Sequence, residues 1–288
     1  MIGLSKITTP ETSVKKQFDL TDKNIVLTGG AGFLGVHFAA AVAEMGGLPI
    51  ILDLNQQDID QAIGYLRKSN FRAEGLILDI TNPAQVIQAI DLIVERHQTI
   101  DVLINAAAFA MKSLLSGGED FFAPFEDYRL DLWEVSLHVN LTGTFLVTQA
   151  VGRVMKRQKR GVVINIASDV AVISPDHRIY EADNQFDYPG VSFNTPLGYS
   201  VTKAGMLAMT RYLATYWAKD GIRVNSFSPA GVYKNQDAKF IEQISYRIPL
   251  GRMAFPQEYK GPIVFLASDA SSFMTGANLI VDGGRTIW

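Results

Sequence analysis

Apolar residues along this chain follow two rhythms. Short runs rich in Ile, Val and Leu alternate with longer stretches in which apolar residues return about every three to four positions. The short runs at 24–28, 48–52, 75–78, 101–105, 162–166, 222–226 and 277–281 predict strands buried on both faces. The periodic stretches at 33–45, 83–97, 130–157, 199–219 and 256–268 predict helices, the first of them stopped by Gly46 and Gly47. Strand and helix in alternation predict an α/β fold, a doubly wound parallel sheet with helices on both faces.

Two stretches interrupt the alternation. Residues 109–129 carry Gly117 and Gly118 among Phe and acidic residues, and 169–198 carry prolines, His177 and Arg178 among aromatics. Loops this long are often binding loops, and loops that follow strands border the cleft at the carboxyl ends of such a sheet. Their many hydrogen-bonding side chains, among them Lys112, Glu119, Asp120, Glu126, Asp127, Asp176, Glu181, Asp183, Asn184 and Gln185, suit a polar, polyhydroxylated ligand. Residues 1–19 are polar and weakly periodic, an N-terminal arm ahead of a single domain at 20–288.

Composition narrows the possibilities. With 48% hydrophobic and 19% charged residues, 288 residues can fill a core. A net charge of −3 argues against nucleic acid as the main partner. The dense basic run at 156–160 ends a predicted helix, where it suits the helix dipole and solvent. No cysteine is present, so disulfides and thiolate chemistry are ruled out. No apolar run approaches the ~18 residues that span a bilayer, and the start lacks a signal-peptide pattern, so a cytoplasmic protein away from membranes is expected. His37, His97 and His138 lack partners at metal spacing, and no metal is expected.

The sharpest local signal is the glycine turn Thr28-Gly29-Gly30-Ala31-Gly32-Phe33-Leu34-Gly35, between the first strand and the first helix. A dinucleotide pyrophosphate rests at such a helix N-terminus, because glycines let the backbone approach it. Asp53 closes the second strand 24 residues after Gly29, near the ~20 expected for a carboxylate that binds the adenosine ribose. That carboxylate would repel a 2′-phosphate, and Leu54-Asn55 follow it with no cation, so NAD is favoured over NADP. Tyr199 and Lys203 lie four apart on one helical face. A nearby ammonium and an oxidised nicotinamide would both lower the phenol pKa toward neutrality.

Over residues 20–288 the chain resembles the short-chain dehydrogenase/reductase family. The resemblance rests on the glycine turn, Asp53, Asp79, Asn105-Ala106-Ala107, Asn140, Ser168, Tyr199 with Lys203, Pro229-Ala230-Gly231 and Asp282-Gly283-Gly284, in the family's order. It implies a Rossmann-type sheet and a hydride transfer between a nicotinamide cofactor and a secondary alcohol or ketone. By the same resemblance, Tyr199 is the general acid/base, Ser168 bonds the same substrate oxygen, Lys203 holds the nicotinamide ribose, and Asn140 positions a relay water. Cofactor contacts fall to Gly29, Gly32, Phe33, Leu34 and Gly35 of the turn, Asp53, Asp79, Ile80, Asn105, Ala106, Tyr199, Lys203, Pro229, Gly231 and Val232. Asp282-Gly283-Gly284 reads as a structural turn. A homodimer or homotetramer through the helices at 130–157 and 199–219 is implied, as is a carbohydrate-type substrate of the kind used by surface-sugar and gluconate-type members. The turn has Phe33 where the compact branch usually has glycine, Ala230 replaces a glycine, and 31 residues separate Ser168 from Tyr199, an insertion beside the site. A redox-neutral nucleotide-sugar epimerase or dehydratase, and a non-catalytic NAD sensor, remain alternatives.

Overall fold

The structure is a computed structural model that describes residues 13–109, 123–180 and 195–288. Its strands are β1 (Asn24–Thr28), β2 (Leu48–Asp53), β3 (Glu74–Ile77), β4 (Val102–Asn105), β5 (Gly161–Ile166), β6 (Ile222–Pro229) and β7 (Asn278–Val281). They pair in parallel in the order β3-β2-β1-β4-β5-β6-β7. The helices are α1 (Val14–Gln17), α2 (Phe33–Glu44), α3 (Gln56–Lys68), α4 (Pro83–His97), α5 (Leu130–Leu137), α6 (Thr144–Gln158), α7 (Leu197–Trp217), α8 (Ala238–Tyr246) and α9 (Lys260–Ala267). The strand order reverses between β1 and β4, so the connections leave in opposite directions and open a crevice at their carboxyl ends.

Each sheet face carries its own apolar layer. On one, Phe38, Phe227 and Tyr259 stack edge to face beside Leu27 and Ile164. On the other, Val26, Ile50 and Leu103 pack against Val151 and Trp217. Burial on both faces explains why the strands are continuous Ile/Val/Leu runs.

Three features depart from the expected elements. Helix α3 was not expected: it buries only Ile59, Ala62 and Leu66, a stripe too thin to stand out among Gln and Asp. Its start is nevertheless encoded, since the Asn55 side chain accepts from the Gln57 and Asp58 amides. Helix α8 buries Ile244 alone and was missed for the same reason. The single helix expected over 130–157 is interrupted by a π-helical turn at His138–Gly143 between α5 and α6. Such wider turns often mark functional positions, and Asn140 lies inside this one. In the N-terminal arm, Ser13 caps the short α1, and Leu20 is fully buried where the body begins.

Candidate active site

The carboxyl edge of the sheet gathers a row of polar residues. Thr28 pairs in register with Asn105, and Asn105 with Asn165. The Thr28 hydroxyl accepts from the Ala106 and Ala107 amides, tying β1 to the segment after β4. There Gly29 holds φ +64°, and a Cβ on it would lie 2.6 Å from the Ala107 Cα. A Cβ on Gly35 would lie 2.2 Å from the Gly29 carbonyl oxygen, so α2 seats directly on the turn. Asp53 faces the turn: one oxygen accepts the Ala31 amide at 3.0 Å, the other that of Leu54 at 2.8 Å.

Several expected site residues are used architecturally. Asn105 is buried, and its amide donates to Thr148 and to Asn165, which donates onward to Thr210. Asp79 accepts from the Thr81 amide and hydroxyl, closing its own turn. The following Ile80 packs on Gly143 of the π-turn. Asn140 is fully buried; its oxygen accepts the Phe109 amide at 2.6 Å, and its nitrogen donates to the Phe109 carbonyl and to Thr202. It therefore ties the end of β4 to α7, next to Tyr199. After β6, the carbonyl of Val232 accepts from the Gln236 side chain.

Ser168, Tyr199 and Lys203 converge. Ser168 follows β5, donates to Asp169 Oδ1 at 2.8 Å, and stands beside the Tyr199 hydroxyl, where it favours the phenolate. Lys203 is buried, donates to the Ile166 carbonyl at 2.6 Å, and its Nζ lies 5.5 Å from the centre of the Tyr199 ring. Burial pushes the phenol up to about 12, opposed by the Ser168 hydrogen bond and reinforced by the charge of Asp169. Burial likewise pushes Lys203 down to about 8. The chain by itself thus keeps Tyr199 protonated, with desolvation as the largest cause.

Tyr199 lines a cavity of about 360 Å³ with Leu34, Ser168, Pro229, Gly231 and Arg285. Leu34 belongs to the glycine turn, so turn and tyrosine share one cavity. A second cavity, of about 450 Å³, is lined by Gly32, Phe33, Asp53 and Lys234, whose Nζ stands 4.5 Å over the Phe33 ring. Among the polar loop residues singled out from sequence, Asp176 is held by Arg178 within the loop and by Arg247 just past α8, which ties the loop to that helix. Lys112, Glu119, Asp120, Glu181, Asp183, Asn184 and Gln185 lie outside the described residues.

Sequence reasoning missed two residues here. Asp169, next to Ser168, is buried and ion-paired to Arg285. The available signal was one acid directly before the apolar run Val170 to Ile173. Arg285 arrives because Asp282 caps the final turn by accepting the Gly284 and Thr286 amides. Among the described residues, no group of three His, Asp or Glu is placed to hold a metal, and no helix is long and apolar enough to cross a membrane.

Comparison with known proteins places this geometry. Residues 23–182 match the family described as short chain dehydrogenase, and 190–286 the one described as enoyl-(acyl carrier protein) reductase. The chain is 32% identical over 282 residues to D-threitol dehydrogenase of Mycolicibacterium smegmatis, covering 96% of this chain and 98% of that one. A gluconate 5-dehydrogenase from Burkholderia cenocepacia, solved with NADP and tartrate, is 29% identical with a TM-score of 0.82, covering 96% and 100%. A short chain dehydrogenase from Leptospira borgpetersenii with bound NAD+ is 34% identical with a TM-score of 0.80, covering 96% and 97%. The chain belongs to the short-chain dehydrogenase/reductase family and is an oxidoreductase of the alcohol CH–OH group.

Proposed function

We propose that this protein oxidises a secondary alcohol, or reduces the matching ketone, on a sugar, sugar acid or polyol, using NAD(H). The observation that carries the proposal is the convergence of Ser168, Tyr199 and Lys203 on a cavity shared with the glycine turn. The residues present fit a dinucleotide. Gly29 and Gly35 leave the turn no room for a side chain, and Asp53 stands beside it at the end of β2. Gly32, Phe33, Leu34 and Asp53 would hold the adenosine and pyrophosphate portion, and Lys203, Pro229, Gly231 and Val232 the nicotinamide portion. When bound, the nicotinamide accepts or supplies hydride and, oxidised, brings a positive charge to the cleft.

Tyr199 takes the proton of the substrate hydroxyl during oxidation and returns it during reduction. Ser168 bonds the same oxygen. Lys203, at about 8, is poised to exchange a proton near neutral pH. Asn140, in its π-turn, holds α7 and the end of β4 in register for this relay. Asp53 supports NAD over NADP, because a carboxylate repels a phosphate placed against it. Two of the three relatives named above are described as acting on a polyol and on a sugar acid, which supports a polar, polyhydroxylated substrate. Stacked, exposed Tyr212 and Tyr216 on α7 support self-association through that helix, a reading that light scattering checks.

The test is turnover of a panel of polyols, sugars and sugar acids with NAD and NADP, in wild type and Tyr199→Phe. The expected result is net NADH formation with wild type and a loss of about 10²–10⁴-fold in the variant, with NAD binding retained. Turnover of a nucleotide sugar without net NADH would replace this reading with the redox-neutral one.

A further inference from the structure

The Asp169–Arg285 pair lines the same cavity as Tyr199 and Ser168, and it deepens the reading of Tyr199 as acid/base, on which it rests. Asp169 is 3% exposed and Arg285 8% exposed. The Arg285 Nη1 donates to Asp169 Oδ2. The other oxygen, Oδ1, accepts the Val170 amide and the Ser168 hydroxyl, both at 2.8 Å. The Ser168 hydroxyl has one hydrogen, and here Asp169 holds it. With that hydrogen on Asp169, Ser168 can only accept from the phenol, whereas a Ser168 bond that favours phenolate needs the hydrogen turned toward Tyr199. For Ser168 to donate to a substrate oxygen, or to a phenolate, its hydrogen must leave Asp169. How strongly Asp169 retains that hydrogen depends on how fully Arg285 neutralises it.

We propose that Asp169 and Arg285 form a positioning pair that sets the direction of the Ser168 hydroxyl and keeps the net charge beside Tyr199 near zero. The groups around the pair come from three directions. Tyr199 and Lys203 stand on α7, and Lys203 directs its ammonium to the Ile166 carbonyl. Asp282 shares the final turn with Arg285. Tyr259 and Glu258 lie in the turn that leads into α9. Of these, Arg285 is the cation in direct contact with Asp169. The charge of Asp169 is felt at the phenol and raises it, so removing the guanidinium unmasks a charge that disfavours phenolate.

The experiment measures pH profiles of kcat and kcat/KM for alcohol oxidation in wild type, Asp169→Asn, Arg285→Met, Arg285→Lys and the double variant Asp169→Asn/Arg285→Met. Oxidation needs Tyr199 deprotonated, so the rate climbs with pH through its pKa. Arg285→Met is expected to move that rising limb to higher pH by about one unit, which is about tenfold in rate below the limb. Asp169→Asn leaves the cation alone and moves the limb to lower pH. The double variant and Arg285→Lys return it toward the wild-type position. A near-ultraviolet phenolate titration, taken as the difference from Tyr199→Phe, follows the same shifts without turnover. Should Arg285→Met fail to fold, the other three variants carry the comparison, because each leaves no unpaired buried carboxylate. Equal losses at every pH, with an unmoved limb and no recovery in the double variant, would overturn the proposal. Full turnover by Tyr199→Phe would instead overturn the assignment of Tyr199 and leave the pair as a structural contact.

Discussion

Two carboxylates stand at the carboxyl edge of the same sheet and are stabilised in different ways. Asp53, at the end of β2, is half-buried and takes its hydrogen bonds from backbone amides one residue away and in the facing turn. Asp169, just past β5, is almost fully buried and takes a guanidinium from 116 residues further along the chain. Depth explains the contrast. Water still screens a carboxylate at the rim, whereas a buried one carries a desolvation penalty that amides alone do not offset. Asp53 is thus left available for a ligand, and Asp169 is committed to the protein.

The largest effect should come from breaking the buried member. Arg285→Met strands a charge and should cost about 3–5 kcal/mol in urea unfolding, with the neutral double variant recovering most of that loss. If the single variant is as stable as wild type, the burial argument fails. Gly35→Ala strikes the turn that Asp53 supports. With a Cβ 2.2 Å from the Gly29 carbonyl, the helix must shift, at about 1–3 kcal/mol, and NAD affinity should fall sharply in a titration of intrinsic fluorescence. Asp53→Asn should change stability by no more than about 0.5 kcal/mol, as at other solvated positions. It should nevertheless narrow the ratio of NAD to NADP efficiency, and an unchanged ratio would remove Asp53 from cofactor choice.

How much of this could be read in the sequence follows the same division. The strands were legible because burial on both faces demands unbroken apolar runs, and the glycine turn and Asp53 because their partners are local. Ser168 and Asn140 were found through family resemblance, since no periodicity marks them, whereas Tyr199 and Lys203 also showed as a pair four apart on one helical face. What stayed hidden was long-range or thinly patterned. Helices α3 and α8 bury too few residues to show. The π-turn at His138–Gly143 leaves helical spacing almost intact. Nothing near Asp169 announces Arg285.

The smallest prediction adds a third, exposed carboxylate to the comparison. Glu258 is bound by Arg252 through both oxygens and accepts the Phe255 amide, which together hold it down to about 2. Its folded pKa is depressed, so its contribution is present above the unfolded carboxylate range and is lost as pH falls toward 2. Both side chains are more than a third exposed, so Glu258→Gln should cost less than about 1 kcal/mol at neutral pH. That difference should vanish by about pH 2 in acid unfolding. A larger loss would mean that screening by water counts for less here than at Asp53.

The separation of Asp169 from Arg285 also orders how the molecule is made. As the chain leaves the ribosome, β1, the glycine turn and β2 emerge early, together with the Asp53–Ala31 contact that joins them. Asp169 follows but must wait for 116 more residues before its counterion exists. Until then its contact with Arg285 cannot form, and the rim around Ser168 lacks one of its partners. The packing around Ser168 is thus completed by one of the last residues of the chain to be made, when the final turn brings Arg285 into place.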